Sequence, residues 1–409
     1  MHKAAEFQPA LEALRGLASL AVVLVHCTLC WSVLVRDEPG AGLVSDLLLI
    51  VLSTDAPVTL FFVLSGYVLT GALCRLGDVT PGSLTVYAAR RLLRIVPAAW
   101  VALFATIAVV AACSSWPRSF EGTDYWIADY LESSRIENLG GSLFFVDDLI
   151  NPTYWSLQVE LVGSALMPAL YASMRGSKPT VKLAAWVALL ALLPLVPYRS
   201  GLSHLSSTFA FCFSLGTLTF HILTGHARLA ARLFSPALGI AAAALLVLAH
   251  ALLGPSAVFD PLLGNSEWLS PILGDGPNID LYLRHLVEAA ASAALVGVIV
   301  VNPGRCPVLW SPTSRFLGRI SYSLYVIHFA VIFGSVVLLR ATVTAWPWLA
   351  PIATAGLVLP VSIIAAWLLH VSAEKPTMAL GRRVARDRRS GPAQELHSIK
   401  GKTRWGRSF

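Results

Sequence analysis

The stretch Leu14-Arg15-Gly16-Leu17-Ala18-Ser19-Leu20-Ala21-Val22-Val23-Leu24-Val25-His26 decides how this chain is read. Together with the residues up to Val35 it is apolar and long enough to cross a bilayer as one helix. Arg15 and His26 are eleven residues apart, so at about 100° per residue they fall within about 20° of one helix face, three turns apart. An arginine at mid-bilayer depth costs roughly 2.5–3.5 kcal/mol on insertion scales. The stripe therefore marks either a functional site or an internal helix-packing pair.

The rest of the chain has the same character. Of 409 residues, 56% are hydrophobic and 13% charged, with a mean hydropathy of +0.69. Soluble proteins carry about 25% charged residues. The composition predicts an all-α polytopic membrane protein with about ten transmembrane helices. They are expected near 14–35, 56–74, 92–113, 155–173, 181–198, 204–224, 236–254, 284–302, 318–340 and 348–371. The run 43–52 is too short for another span and reads as an interfacial or re-entrant piece.

With both termini in the cytoplasm, only Arg36, Arg118, Arg135, Arg199, Arg284 and Arg340 of the 30 Lys and Arg lie outside. That bias sets the orientation, and it makes the net charge of +7 mainly a topological signal. Residues 1–380 read as one membrane domain in the cell's inner (plasma) membrane. Residues 381–409 read as a basic, disordered cytoplasmic tail that suits anionic lipid heads, with no nucleic acid as partner. Glu6 and Glu12 interrupt the charged N-terminal region, which argues against a cleaved signal peptide. Cys27-x-x-Cys30 lies inside a span and reads as apolar packing, and no histidine spacing suggests a metal site.

Five further constellations carry chemistry. Phe61-Phe62-Val63-Leu64-Ser65-Gly66-Tyr67 offers a small Ser-Gly patch where a helix or ligand can approach the backbone. Tyr87 to Pro97 holds Arg90, Arg91 and Arg94 at a cytoplasmic helix start. Their planar guanidinium forks suit phosphate oxygens, with ordinary membrane anchoring as the alternative. In Tyr154-Trp155-Ser156-Leu157-Gln158-Val159-Glu160, Ser156 and Glu160 face one way at i,i+4, and the buried carboxylate needs a partner such as Arg15 or His26. Ser321, Tyr325 and His328 form a polar stripe at i, i+4, i+7, with His328 at a depth similar to that of His26. Glu374-Lys375-Pro376 closes the last span, where the proline is expected to stop the helix. A transporter or flippase using a His/Arg/Glu relay fits these residues too, although no repeated halves are visible.

In this order, from residue 10 to about 378, the motifs resemble the membrane-bound acyltransferase-3 family. The resemblance rests on Arg15 and His26 with ten residues between them, Phe61–Tyr67, Arg90-Arg91-x-x-Arg94-Ile95-x-Pro97, Trp155–Glu160, Ile320–His328 and Glu374-x-Pro376. It implies an O-acyltransferase taking an acyl group from cytoplasmic acyl-CoA, with acetyl-CoA the implied donor and no permanently bound cofactor. The acceptor implied is a hydroxyl of a carbohydrate or lipid-linked glycan of the cell envelope. Arg90, Arg91 and Arg94 would bind the donor phosphates. His26 would act as general base or as a transient acyl carrier, Arg15 would hold the donor or the oxyanion, and Glu160 near the outer mouth would orient the acceptor. Ser65, Trp155, Ser156, Ser321, Tyr325 and His328 would line the substrate cavity. Members often carry a glycine and an acidic residue just before the Phe-Phe pair, where this chain has Pro57 and Thr59. Some carry an added hydrolase-like domain, for which the 30 or so tail residues leave no room, so a second transfer step would need another protein.

Overall fold

A computed structural model describes residues 8–31, 55–113, 136–195, 201–253 and 279–384, with isolated positions 48, 53 and 127. Within these residues the regular structure is helical throughout. The helices are α1 (Pro9–Leu29), α2 (Ala56–Leu76), α3 (Pro81–Cys113), α4 (Leu139–Leu143), α5 (Tyr154–Ser173), α6 (Pro179–Leu192), α7 (Gly201–Gly225), α8 (Ala227–Leu233), α9 (Pro236–Leu253), α10 (Ile279–Val301), α11 (Pro312–Ala345) and α12 (Ala350–Leu369). The last continues through a π turn at His370–Glu374 and ends at Val384.

Seven helices are long and apolar enough to cross a membrane, or eight if α8 and α9, bent by 57°, form one broken span. Each of the ten expected stretches is helical over most of its described residues, but α5 and α6 fall short of a span on these criteria. Ser156, Gln158, Glu160 and Ser164 dilute the hydropathy of α5, and α6 has only 14 residues. Most of the 43–52 piece and the tail from residue 385 lie outside the described residues.

Local chemistry sets the helix starts. Proline occupies the first turn of α1, α2, α6 and α11, where a missing N–H costs no hydrogen bond. The Ser311 hydroxyl caps α11 by accepting from the Ser314 backbone N–H at 3.1 Å.

Two glycine crossings organise the bundle. A Cβ added to Gly16 would collide with the Leu317–Gly318 backbone, and one on Gly318 with the backbone of Glu12 and Ala13. At this point α1 and α11 touch main chain to main chain. The second crossing joins α2 to α7, where Gly66 meets the Phe213 backbone and Gly216 meets that of Val63 and Tyr67. The small patch at Ser65-Gly66 thus serves the close helix approach expected of it. On the other side of α11 stands α3. The hydroxyls of Tyr322 and Tyr154 donate to the Ile95 and Ala99 carbonyls, both at 2.6 Å, one on each side of the in-helix Pro97. Cys27 and Cys30 are buried as packing residues.

Replacing Gly318 by alanine should destabilise the protein by about 1–3 kcal/mol, the usual cost of overpacking a tight contact. Gly304, with open space around it, is the control. Thermal unfolding of the purified protein should show a lower Tm for Gly318→Ala and an unchanged one for Gly304→Ala.

Candidate active site

The α1–α11 crossing sets the stripe of α1 against the stripe of α11. One side of the contact is polar by sequence: Arg15 and His26 on α1, and Ser321, Tyr325 and His328 on α11. Two cavities and a histidine pair result.

The larger cavity, about 510 Å³, is walled by Glu12, Arg15, Ser65, Arg75, Tyr87, Arg90, Arg91, Arg94 and Arg382 among others. These come from the start of α1, the end of α2, the first half of α3 and the far end of α12, so four helix ends converge here. Six arginines face a single acid, which makes a strongly cationic basin of the size usual for small-molecule sites. The smaller cavity, about 60 Å³, shares Arg15, Ser65, Arg91 and Arg94 with the basin. It continues inward to Ser156, Glu160, Ser321, Tyr322 and Tyr325.

Glu160 is the hub of the shared wall. Its Oε1 accepts from Arg91 Nη2 and, at 2.9 Å, from the Ser65 hydroxyl. Arg91 Nε donates to Ser164 Oγ at 3.0 Å, Ser164 donates to the Glu160 carbonyl at 2.6 Å, and Tyr87 donates to the Ser164 carbonyl at 2.9 Å. The expected partners of Glu160, Arg15 and His26, are replaced by Arg91. Glu160 also faces the cationic side instead of an outer mouth. It lies about 9 Å along α5, and Arg91 about 15 Å along α3, so the two meet deep in the bundle. Arg91 is therefore engaged by protein, whereas Arg90 is exposed and Arg94 lines both cavities.

At the inner end, Ser156 donates to the Thr153 carbonyl at 2.8 Å, which leaves its oxygen to accept from Tyr325 OH at 2.7 Å. One helical turn beyond Tyr325 is His328, fully buried. Its Nδ1 donates to the Tyr325 carbonyl at 2.7 Å, and its Nε2 lies 3.2 Å from His26 Nδ1. Phe329 packs on His26 with ring centroids 4.7 Å apart. The two histidines, read from the sequence as lying at similar depth, thus meet. Neither His26 nor His328 lines the two cavities. Trp155 also lies outside their lining, turned into an aromatic cluster with Phe62 and Phe209.

Sequence reasoning missed several groups. Ser164, Tyr87, Arg75 and Arg382 sit at positions whose only signal was a small residue, an aromatic or a basic helix end. Glu374 is buried and accepts from Ser323 Oγ and His370 Nδ1, each at 2.8 Å. The π turn sets His370 and Glu374 side by side, and Pro376 does not end the helix. Arg284, counted above as an outer-face cation, is 3% exposed and paired with Asp55. Beside it Glu288, 0% exposed, accepts from Thr59 Oγ1 at 3.2 Å. A carboxylate from α10 therefore reaches the position before the Phe-Phe pair where Thr59 replaces an acid.

The bundle thus buries a polar chamber behind a cationic basin among helices long enough to cross a membrane. The chain matches the acyltransferase domain of the acyltransferase 3 family over residues 8–371, and it belongs to that family. It is a multi-pass membrane acyltransferase. No curated protein and no solved structure matches it.

The Arg91–Glu160 pair is part-buried, so removing one partner strands a charge at a cost of about 3–5 kcal/mol, and removing both recovers much of it. A thermal-denaturation cycle on Arg91→Ala, Glu160→Ala and the double variant should show the double variant more stable than the sum of the single losses requires.

Proposed function

We propose that the protein is an integral-membrane O-acyltransferase that takes an acyl group from cytoplasmic acyl-CoA. The acceptor is a hydroxyl of a carbohydrate or lipid-linked glycan at the outer face of the inner membrane. One observation carries this reading: the arginine basin shares a wall with a polar chamber that ends one turn short of the histidine pair.

Arg75, Arg90, Arg94 and Arg382 bind the donor's phosphates, because guanidinium forks match phosphate oxygens in pairs. Arg91, held by Glu160 and Ser164, shapes the neck between basin and chamber. The thioester arm follows the shared wall past Arg15 and Ser65 towards Tyr325. The Tyr325–Ser156 hydrogen bond closes the chamber, and the reacting carbon reaches His26 once it is passed.

The acceptor hydroxyl loses its proton to His26 acting as general base, a role contributing typically about 10²–10⁴-fold. Its oxygen attacks the thioester carbonyl, the C–S pair leaves on sulfur, and the sulfur recovers the proton from His26. Arg15, on the same wall, steadies the donor during the transfer. The +7 charge, its placement at converging helix ends and the basic tail support cytoplasmic termini.

Purified protein given acetyl-CoA and envelope glycans should release CoA and acylate the glycan; a transporter would release none. His26→Ala should insert and fold yet lose transfer, and full activity in that variant contradicts the role. Arg94→Ala should raise the KM for acyl-CoA about tenfold or more with a smaller change in kcat, and an unchanged KM would remove it from the donor site. Acylated protein trapped in the absence of acceptor would replace the general-base route by an acyl-enzyme.

A further inference from the structure

We propose that His328 is a positioning residue that selects the tautomer of His26, so that the lone pair of His26 stands on Nε2. The inference rests on the general-base reading of His26 and adds to it the atom that reacts and the group that chooses it.

A neutral imidazole has one N–H and one lone pair, and the partner of one nitrogen decides which is which. His328 Nδ1 lies 2.7 Å from the Tyr325 carbonyl, with the Leu324 carbonyl also bonded to the ring. A carbonyl only accepts, so His328 Nδ1 carries the proton and its Nε2 carries the lone pair. That lone pair is 3.2 Å from His26 Nδ1. His26 Nδ1 must then be the donor. The Val22 carbonyl, one turn back on α1, also hydrogen-bonds the ring of His26. With His328 Nε2 as its acceptor, His26 Nδ1 holds the proton and Nε2 is left as the basic nitrogen.

The arrangement is rigid for reasons already described. The Gly16–Gly318 contact fixes the separation of α1 and α11, and Phe329 packs against both rings at 4.7 and 4.6 Å between centroids. In the reaction the acceptor's O–H bond breaks, and its proton forms the N–H bond at His26 Nε2. The imidazolium then donates from Nδ1 to His328 Nε2 in a charge-assisted hydrogen bond, which strengthens as the positive charge develops. His328 gains no proton and touches no substrate. The same division of labour operates when an acceptor behind a catalytic histidine fixes its tautomer, where loss of the correct tautomer costs about 10⁴-fold in rate. Asp55, which acts electrostatically on His26, and His328 itself are the titratable groups facing the ring.

Two variants and one spectroscopic measurement test this. Glutamine at position 328 keeps an acceptor oxygen for His26 Nδ1, whereas phenylalanine keeps a ring and no acceptor. In folded protein, His328→Phe should lower kcat about 10²–10⁴-fold with the acyl-CoA KM nearly unchanged. His328→Gln should retain at least about a tenth of the wild-type kcat, since a fixed acceptor is all that is required. A folded His328→Phe with near wild-type kcat, or a folded His328→Gln as inactive as His328→Phe, overturns the proposal. If His26→Ala is inactive in the same assay, that failure belongs to His328 alone; if His26→Ala is active, the underlying reading has failed instead. Should the variants not fold, ¹⁵N-histidine NMR of the wild-type protein in nanodiscs decides. A proton on His26 Nδ1 supports the proposal, and a proton on Nε2 overturns it.

Discussion

The rest of the site depends on a contact with no side chains in it. Gly16 and Gly318 let α1 and α11 approach backbone to backbone. Each helix carries a polar stripe on the face turned to that contact. Lipid cannot hydrogen-bond such groups, so they stay in the bundle only if the two stripes satisfy each other or line a wet cavity. Both happen here. Near the crossing, Arg15 and Ser321 open on the cavities; deeper in, His26 and His328 pair.

Charge is sorted along the same axis. The basin gathers arginines from four helix ends around one acid, so positive charge is in excess there. Deeper in, each cation is matched: Arg91 by Glu160, Arg284 by Asp55. Arginines thus concentrate at the entrance, in the wall of the larger cavity. Beyond them lie the Ser156 and Tyr325 hydroxyls and the His26–His328 pair. A thioester that moved along this gradient would leave its charged end behind and bring only its uncharged end to the histidines.

Helical periodicity made much of this legible. Spacings of eleven residues from Arg15 to His26, and of seven from Ser321 to His328, are enough to put each set on one face. The apolar run lengths located the helices, and Ser65-Gly66 announced a close approach. Pairings between helices were not legible, because period says which residues share a face and nothing about what faces them. Glu160 needed a counter-charge, but whether Arg15, His26 or Arg91 supplied it depended on the relative depth of α3 and α5. Arg284 shows the same limit: its charge was legible, but its burial and its pairing with Asp55 at the start of α2 were not. The polar side chains of α5 explain why its apolar signal was weaker than its place in the bundle.

The central claim is that a path from the arginine basin reaches His26 when Tyr325 moves aside. It is tested most directly by a cryo-EM structure of the protein with a non-hydrolysable thioether analogue of acetyl-CoA. The account predicts phosphate density against Arg90 and Arg94, and the thioether end beyond a displaced Tyr325, within reach of His26 Nε2. A bound analogue whose phosphates avoid these arginines, or whose acyl end points away from His26, would contradict it.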